Sequence, residues 1–184
     1  KTKTGVAVTF TVDGKAQKLE AEKVLIAVGR APMTENIGIE KAKIQSERGF
    51  VKVDEYMRTA EPGVYAIGDI ALGYPLLAHS GAMEGIVAVT HIAGKPAKPI
   101  NLLRIPNATY CEPQVASIGL TERAAREAGY AVKTGKFPFV GNSKATILGH
   151  HEGFIKVVTD EKFGESLGVH IIGAEAGTMI AEAC

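Results

Sequence analysis

Tryptophan is absent from these 184 residues, and cysteine occurs only twice. Cys111 and Cys184 stand 73 positions apart, in no CxxC or CxxxxC pair and at no zinc-ligand spacing. Two reduced thiols in an intracellular protein are expected, not a disulfide framework. An excess of either charge is also lacking. Lys and Arg number 21 against 20 Asp and Glu, a net charge of +1 with no basic run. Such a chain offers no electrostatic case for nucleic acid or an anionic membrane. Apolar stretches run to only several residues, too few to span a bilayer. Lys1-Thr2-Lys3-Thr4 leads into a strand pattern rather than the apolar core of a targeting segment. Repeats and low-complexity segments are missing as well. What is present is 46% apolar and 22% charged, the balance of a soluble globular protein. The length suits one large domain or parts of two or three.

Three units follow one another. Val6, Val8, Phe10 and Val12 alternate with Ala7, Thr9 and Thr11, and Asp13-Gly14 supplies the positive-φ pair of a tight hairpin. Val24 to Val28 is apolar on both faces, which predicts a buried strand of a parallel sheet. In the second unit Phe50 to Asp54 alternates, Thr59 to Gly63 reads as a loop, and Val64 to Ile67 reads as a short buried strand ending at Gly68-Asp69. Ala78, Ala82, Ile86, Val89 and Ala93 then mark the expected inner face of a helix, stopped by Gly94 and Pro96. Strand, loop and helix in that order suggest a ligand site at the strand's carboxyl end. The third unit, from near Asn101, has strands at 115–118, 132–137, 154–158 and 167–172. Thr121 caps a helix over 122–128, and Asp160 to Gly164 forms a polar turn. It predicts a mostly antiparallel sheet with helices on one side. Ala176, Met179, Ile180 and Ala183 repeat as in a helix with no stop signal, and little remains to bury that stripe. Both ends of the chain are therefore expected to be cuts.

The most informative stretch is TAEPGVYAIGDIALGYPLLAHSGAMEG, from Thr59 to Gly85. A carboxylate at Asp69, just past a strand and after a glycine, can accept hydrogen bonds from sugar-like hydroxyls, each worth about 1.5–3 kcal/mol net. Ten residues on, the helix beginning at Leu77-Ala78-His79 has N–H groups without internal partners. Its dipole favours negative charge by ~0.3–1 kcal/mol. Together they suit a flavin dinucleotide, although a turn with a helix-capping Asp would leave the same residues. Elsewhere the residues are plainer. Gly29-Arg30 reads alone as a turn. His150-His151-Glu152 reads as a surface loop, since strand neighbours face opposite ways. Cys111 has no base placed beside it, and His79 reads as a positioning residue rather than a base.

The order of these motifs resembles the pyridine nucleotide–disulfide oxidoreductase family along essentially the whole chain. Val64-Tyr65-Ala66-Ile67-Gly68-Asp69 is similar to the family's second FAD-binding motif, where the Asp binds the flavin's ribityl chain. Leu76-Leu77-Ala78-His79 resembles the "MLAH" segment of the family's dihydrolipoamide branch, with Leu76 in place of Met, and Glu84-Gly85 completes "LAHxAxxEG" with Gly81 where Ala is common. Val24 to Pro32 resembles "VLVAVGRxPN", with Met33 in place of Asn, and the family pattern sets Gly29 beside NAD. Ile105 to Glu122 resembles "IPxVxYTxPExAxVGxTE", the opening of the dimerisation domain, with Cys111 for Thr and Gln114 for Glu.

The resemblance implies a mixed α/β and α+β fold: the end of a Rossmann-like NAD domain (1–32), a central FAD-contacting unit (33–100) and an α+β dimerisation domain (101–184). Asp69, Leu76, Leu77, Ala78 and His79 are the implied FAD contacts and Gly29 the implied NAD contact. No metal ligand is expected. The implied activity is oxidation of dihydrolipoyl groups with NAD+ through an enzyme disulfide and FAD. The implied partners are a second copy, as a homodimer, and the lipoyl domains of a 2-oxo acid dehydrogenase complex, with no nucleic acid or membrane. The implied place is the cytoplasm, or alternatively the mitochondrial matrix. A Cys-x4-Cys pair, GxGxxG and HxHP are not in this sequence, so no catalytic residue is assigned and the segment is not expected to catalyse alone. A mercuric-reductase-like flavoprotein and a non-catalytic dimerisation module are the alternatives.

Overall fold

A computed structural model describes residues 5–184. It opens with a hairpin: β1 (Val6–Val12) pairs antiparallel with β2 (Lys15–Ala21), Val12 opposite Lys15. Asp13 and Gly14 form the two-residue loop at φ 49° and 76°, the backbone that matches strand twist. The hairpin is as expected; the next segment is not. Val24 to Val28 joins no strand, and Leu25, Ile26 and Val28 are 90%, 78% and 93% exposed. A strand exists only when neighbours accept and donate its backbone hydrogen bonds. None of the described strands lies beside this run, so its apolar composition marks a preference without a sheet to satisfy it.

The central segment is built from turns. β3 (Ser46–Glu47) and β4 (Phe50–Val51) flank a turn with Arg48 and Gly49 at φ 51° and 83°. The alternation expected over 50–54 yields only two strand residues, because Asp54 turns the chain. Its Oδ1 accepts from the N–H groups of Tyr56 and Arg58, both at 2.9 Å. Val64 to Ile67 is likewise no full strand. It makes one antiparallel bridge, Tyr65 to Arg58, and only Ala66 is buried. With a partner for a single residue, ladder pairing cannot extend. A second bridge, parallel, joins Val51 to Ala71.

Helix α1 (Ala78–Ile92) ends as its sequence predicts: Gly94, at φ 65°, donates to the His91 carbonyl, and Lys95 donates to that of Thr90. Its inner face differs from the expectation. Ser80, Glu84, Val87 and Ala88 are buried, whereas Ile86 and Val89 are 57% and 65% exposed. The helix is apolar around most of its circumference, so spacing alone does not say which side is covered. Hydrogen bonds to a neighbouring turn decide it.

Residues 105–184 hold the largest sheet, five antiparallel strands in the order β5-β6-β9-β8-β7: β5 (Asn107–Thr109), β6 (Val115–Gly119), β7 (Val132–Pro138), β8 (Phe154–Asp160) and β9 (Ser166–Ile172). Helix α2 (Glu122–Glu127) follows β6, with the Thr121 hydroxyl accepting from Ala124 N–H, as predicted. Helix α3 (Ser143–Leu148) is capped by Asn142 in the same way. Helix α4 (Ala176–Met179) runs into a 3-10 turn, Ile180–Ala183. Its stripe is not idle. Ala176 and Ile180 close a core with Ala116, Ile118, Phe139 and Ile171. Helices also occupy both faces of the sheet rather than one. Lys156 alternates with the core-facing Ile155 and pairs with Glu122 of α2 on the opposite side. Among the described residues no helix is long and apolar enough to cross a membrane.

Candidate cofactor site

The segment carrying Asp69 lies directly on α1. After the Tyr65 bridge the chain enters a 3-10 turn, Gly68–Ile70. Gly68 takes φ 73°, a conformation that favours glycine. Its N–H donates to the Glu84 carboxylate at 2.6 Å, and the Ser80 hydroxyl donates to the other Glu84 oxygen at 2.8 Å. A side chain at Gly81 would place Cβ 3.2 Å from Gly68 Cα, so the close seating of turn on helix depends on small residues.

Asp69 therefore stands beside the start of α1. No side chain caps that start; the helix's first internal bond runs from Gly81 N–H to the Leu77 carbonyl at 3.0 Å. The N–H groups of Ala78, His79 and Ser80 precede that bond and have no partner within the helix. Ala78 and His79 are exposed, and Leu76 and Leu77 are half-buried. The His79 ring Nε2 lies 2.8 Å from the Pro106 carbonyl, tying the helix start to the segment that leads into β5. At the far end of α1, Tyr65 Oη and His91 Nδ1 are 2.9 Å apart, and Tyr56 stacks on the same ring.

Arg30 Nη2 lies 3.4 Å from Asp69 Oδ2, both side chains being well exposed. The Gly-Arg and Gly-Asp motifs thus meet, a contact the sequence does not announce. Gly29, one residue away, has φ 130° and open space where a Cβ would sit. In the sequence Glu84 stands only as part of the LAHxAxxEG stretch, with no role of its own. Its signal was a carboxylate on a helix whose neighbours at Val87 and Ala88 are apolar.

The electrostatics near the turn are local. Burial, and then the carboxylates of Glu84, Asp54 and Glu55, push the Tyr74 phenol up, so it keeps its proton. For Asp54 burial acts upward but is outweighed by the Arg58 N–H, the Arg58 guanidinium and the Tyr56 N–H, and its pKa is lowered. Two surface cavities, of about 420 and 490 Å³, lie elsewhere: one beside Arg104, Tyr130 and Cys184, the other beside Asp54 and Arg58. Neither includes Asp69, and the cofactor reading rests on the turn and helix rather than on a cavity. His150, His151 and Glu152 lie exposed in the loop before β8. Cys111 is exposed, its thiol 3.1 Å from the Pro113 carbonyl, and no base faces it among the described hydrogen bonds.

One partly exposed carboxylate and one uncapped helix start can accept from ribityl-type hydroxyls and donate toward an electron-rich ring edge. Those are the needs of one side of a flavin. Residues 1–85 match the model of the pyridine nucleotide-disulphide oxidoreductases, and residues 105–184 match the model of their dimerisation domain. The chain belongs to this oxidoreductase family. It is 48% identical over 171 residues to a dihydrolipoyl dehydrogenase of Thermus scotoductus, covering 92% of this chain and 36% of the relative. Against that of Bacillus subtilis it is 45% identical over 179 residues, 97% of this chain and 38% of the relative. The chain thus spans little more than a third of these family members. Its fold matches LpdA from Mycobacterium tuberculosis with a TM-score of 0.87 at 28% identity, over 98% of this chain and 39% of LpdA. It also matches the HOCl-induced flavoprotein disulfide reductase RclA from Escherichia coli at 0.84 and 23% identity, over 96% and 40%, which speaks to the family fold alone.

Proposed function

We propose that these residues are the flavin-contacting and dimerising part of an FAD- and NAD-dependent dihydrolipoyl dehydrogenase. The observation that carries the reading is the Gly68–Ile70 turn seated on α1, which sets the Asp69 carboxylate beside an uncapped helix start. The 45–48% identity to enzymes named dihydrolipoyl dehydrogenase supports the substrate class. When bound, FAD supplies a two-electron carrier between a dithiol and the nicotinamide. This chain's residues would do the holding. Asp69 accepts from the ribityl hydroxyls, and the N–H groups of Ala78 and His79 stabilise negative charge on the ring edge. Leu76 and Leu77 would bring their backbone groups toward the ring, and the His79 imidazole fixes the helix against residue 106. Gly29 as an NAD contact rests on its motif alone.

The division at 1–32, 33–100 and 101–184 belongs to the same reading, as does a homodimer formed through the sheet of residues 105–184. Lipoyl domains of a 2-oxo acid dehydrogenase complex are the proposed protein partner, and the cytoplasm the proposed place, with the mitochondrial matrix as alternative. The test is to purify the full-length polypeptide carrying this segment, record its visible flavin absorbance, and assay NAD+ reduction with dihydrolipoamide. A yellow, dimeric protein that reduces NAD+ supports the proposal. A colourless protein that cannot be reconstituted with FAD contradicts it and favours a non-catalytic dimerisation module.

A further inference from the structure

We propose that Glu84 is a positioning residue of the flavin site: it anchors the turn at Gly68 and thereby places the Asp69 carboxylate. The proposal rests on the flavin reading of Asp69. Glu84 is completely buried and is among the largest side chains so enclosed. No ion pair among the described residues includes it, and a buried carboxylate without a cation is costly unless hydrogen bonds satisfy it. Both oxygens are used, one by the Gly68 N–H at 2.6 Å and one by the Ser80 hydroxyl at 2.8 Å. The Ser80 bond lies within α1; the Gly68 bond is the one that leaves it.

Asp69 has little else to hold it. Among the described residues its carboxylate pairs only with the exposed Arg30, at 3.4 Å. The turn is tied behind by Ala66 N–H to the Met57 carbonyl at 3.1 Å and ahead by the Val51–Ala71 bridge. Between those ties the fixed point is Gly68 on Glu84. Gly81 and Gly85 add a steric complement: a Cβ on Gly81 would lie 3.2 Å from Gly68 Cα, and one on Gly85 3.4 Å from Ile67 Cδ1. The helix that offers its start to the ring edge is thus the same helix that sets the carboxylate, two functions held in one register by a side chain six residues into α1.

The test uses the full-length polypeptide, stripped of flavin and titrated with FAD, as wild type, Asp69→Ala, Glu84→Gln, Glu84→Leu and the Asp69→Ala/Glu84→Leu double variant. Leu fills a similar volume and removes the acceptor, Gln keeps an oxygen for the Gly68 N–H, and circular dichroism checks that each variant is folded. Glu84→Leu should weaken FAD binding about tenfold, with Glu84→Gln within about threefold of wild type. The double variant should bind about as Asp69→Ala does, because both changes act through one contact. Amide exchange in the absence of flavin should rise in a peptide covering 64–72 and stay unchanged over 154–172. Unaltered FAD affinity in Glu84→Leu, with Asp69→Ala impaired, overturns the proposal alone, as do effects that multiply in the double variant. A wild type that binds no FAD overturns the flavin reading and this proposal with it.

Discussion

Residues 24–28 and residues 167–172 are both short apolar runs, yet one lies in solvent and the other in the middle of a sheet. Leu167 to Ile172 sits in β9, with β6 on one side and β8 on the other, and Ile171 is 4% exposed. Among the described residues Val24 to Val28 has no strand on either side, and Val28 is 93% exposed. Composition records what a segment prefers, while neighbours many residues away decide whether the preference is met. The same contrast separates the two helices that read as apolar stripes. The α4 stripe found β6 and β9, whereas the stripe expected to be the inner face of α1 remains outside.

Substitutions can sharpen or break this contrast. The largest expected effect is Ile171→Ala, which should lower unfolding free energy by about 2–5 kcal/mol in denaturant titration. In the 184-residue chain by itself, Ile26→Ala should change it by less than about 0.5 kcal/mol. An Ile26 cost rivalling that of Ile171 would show that the 24–28 run is covered in solution. Next come two glycines. Gly153→Ala, at φ 96°, drives a Cβ into the Ile172 carbonyl and should cost more than about 2 kcal/mol. Gly14→Ala, at φ 76° with nothing nearby, meets backbone strain alone and should cost about 1–2 kcal/mol. Equal thermal midpoints for these two variants would contradict the close packing of the sheet.

Acid stability comes third. Lys156 and then Arg126 lower the pKa of Glu122, and Asp54 is lowered by its partners despite burial. A carboxyl depressed in the folded state contributes stability that is fully present above its ordinary, unfolded value and is lost as pH falls through the folded one. Glu122→Gln and Asp54→Asn should each flatten the acid limb of a stability–pH curve; an unchanged limb argues against these pairings in solution. A small effect belongs to Arg30→Ala. Its pair with Asp69 is exposed, and its loss should move stability by less than about 1 kcal/mol.

The features legible from sequence are those decided within a few residues. Asp13-Gly14 needs only its own φ angles, Thr121 reaches an N–H three residues on, and Gly94 closes α1 on its own last turn. The alternating strands of 105–184 were legible as well, because their partners lie in the same stretch of chain. Pairing across longer distances was not. The stripe at 176–183 gave no sign that β6 would receive it, and Lys156 gave none that α2 would cross to the other face. At the candidate site, Asp69 and the start of α1 could be picked out as chemical groups. Glu84 could not be given its role, because the Gly68 N–H it accepts becomes visible only when the turn is folded onto the helix. Arg30 meeting Asp69 joins positions 39 residues apart that no local pattern connects.

The most direct measurement of the central claim is the FAD dissociation constant of the full-length polypeptide carrying this segment, wild type against Asp69→Ala, at matched folding by circular dichroism. Loss of one charge-assisted hydrogen bond to a ribityl hydroxyl is worth about 1.5–3 kcal/mol, so binding should weaken by roughly 10- to 150-fold. Equal dissociation constants in the two proteins would contradict the assignment of Asp69 to the flavin.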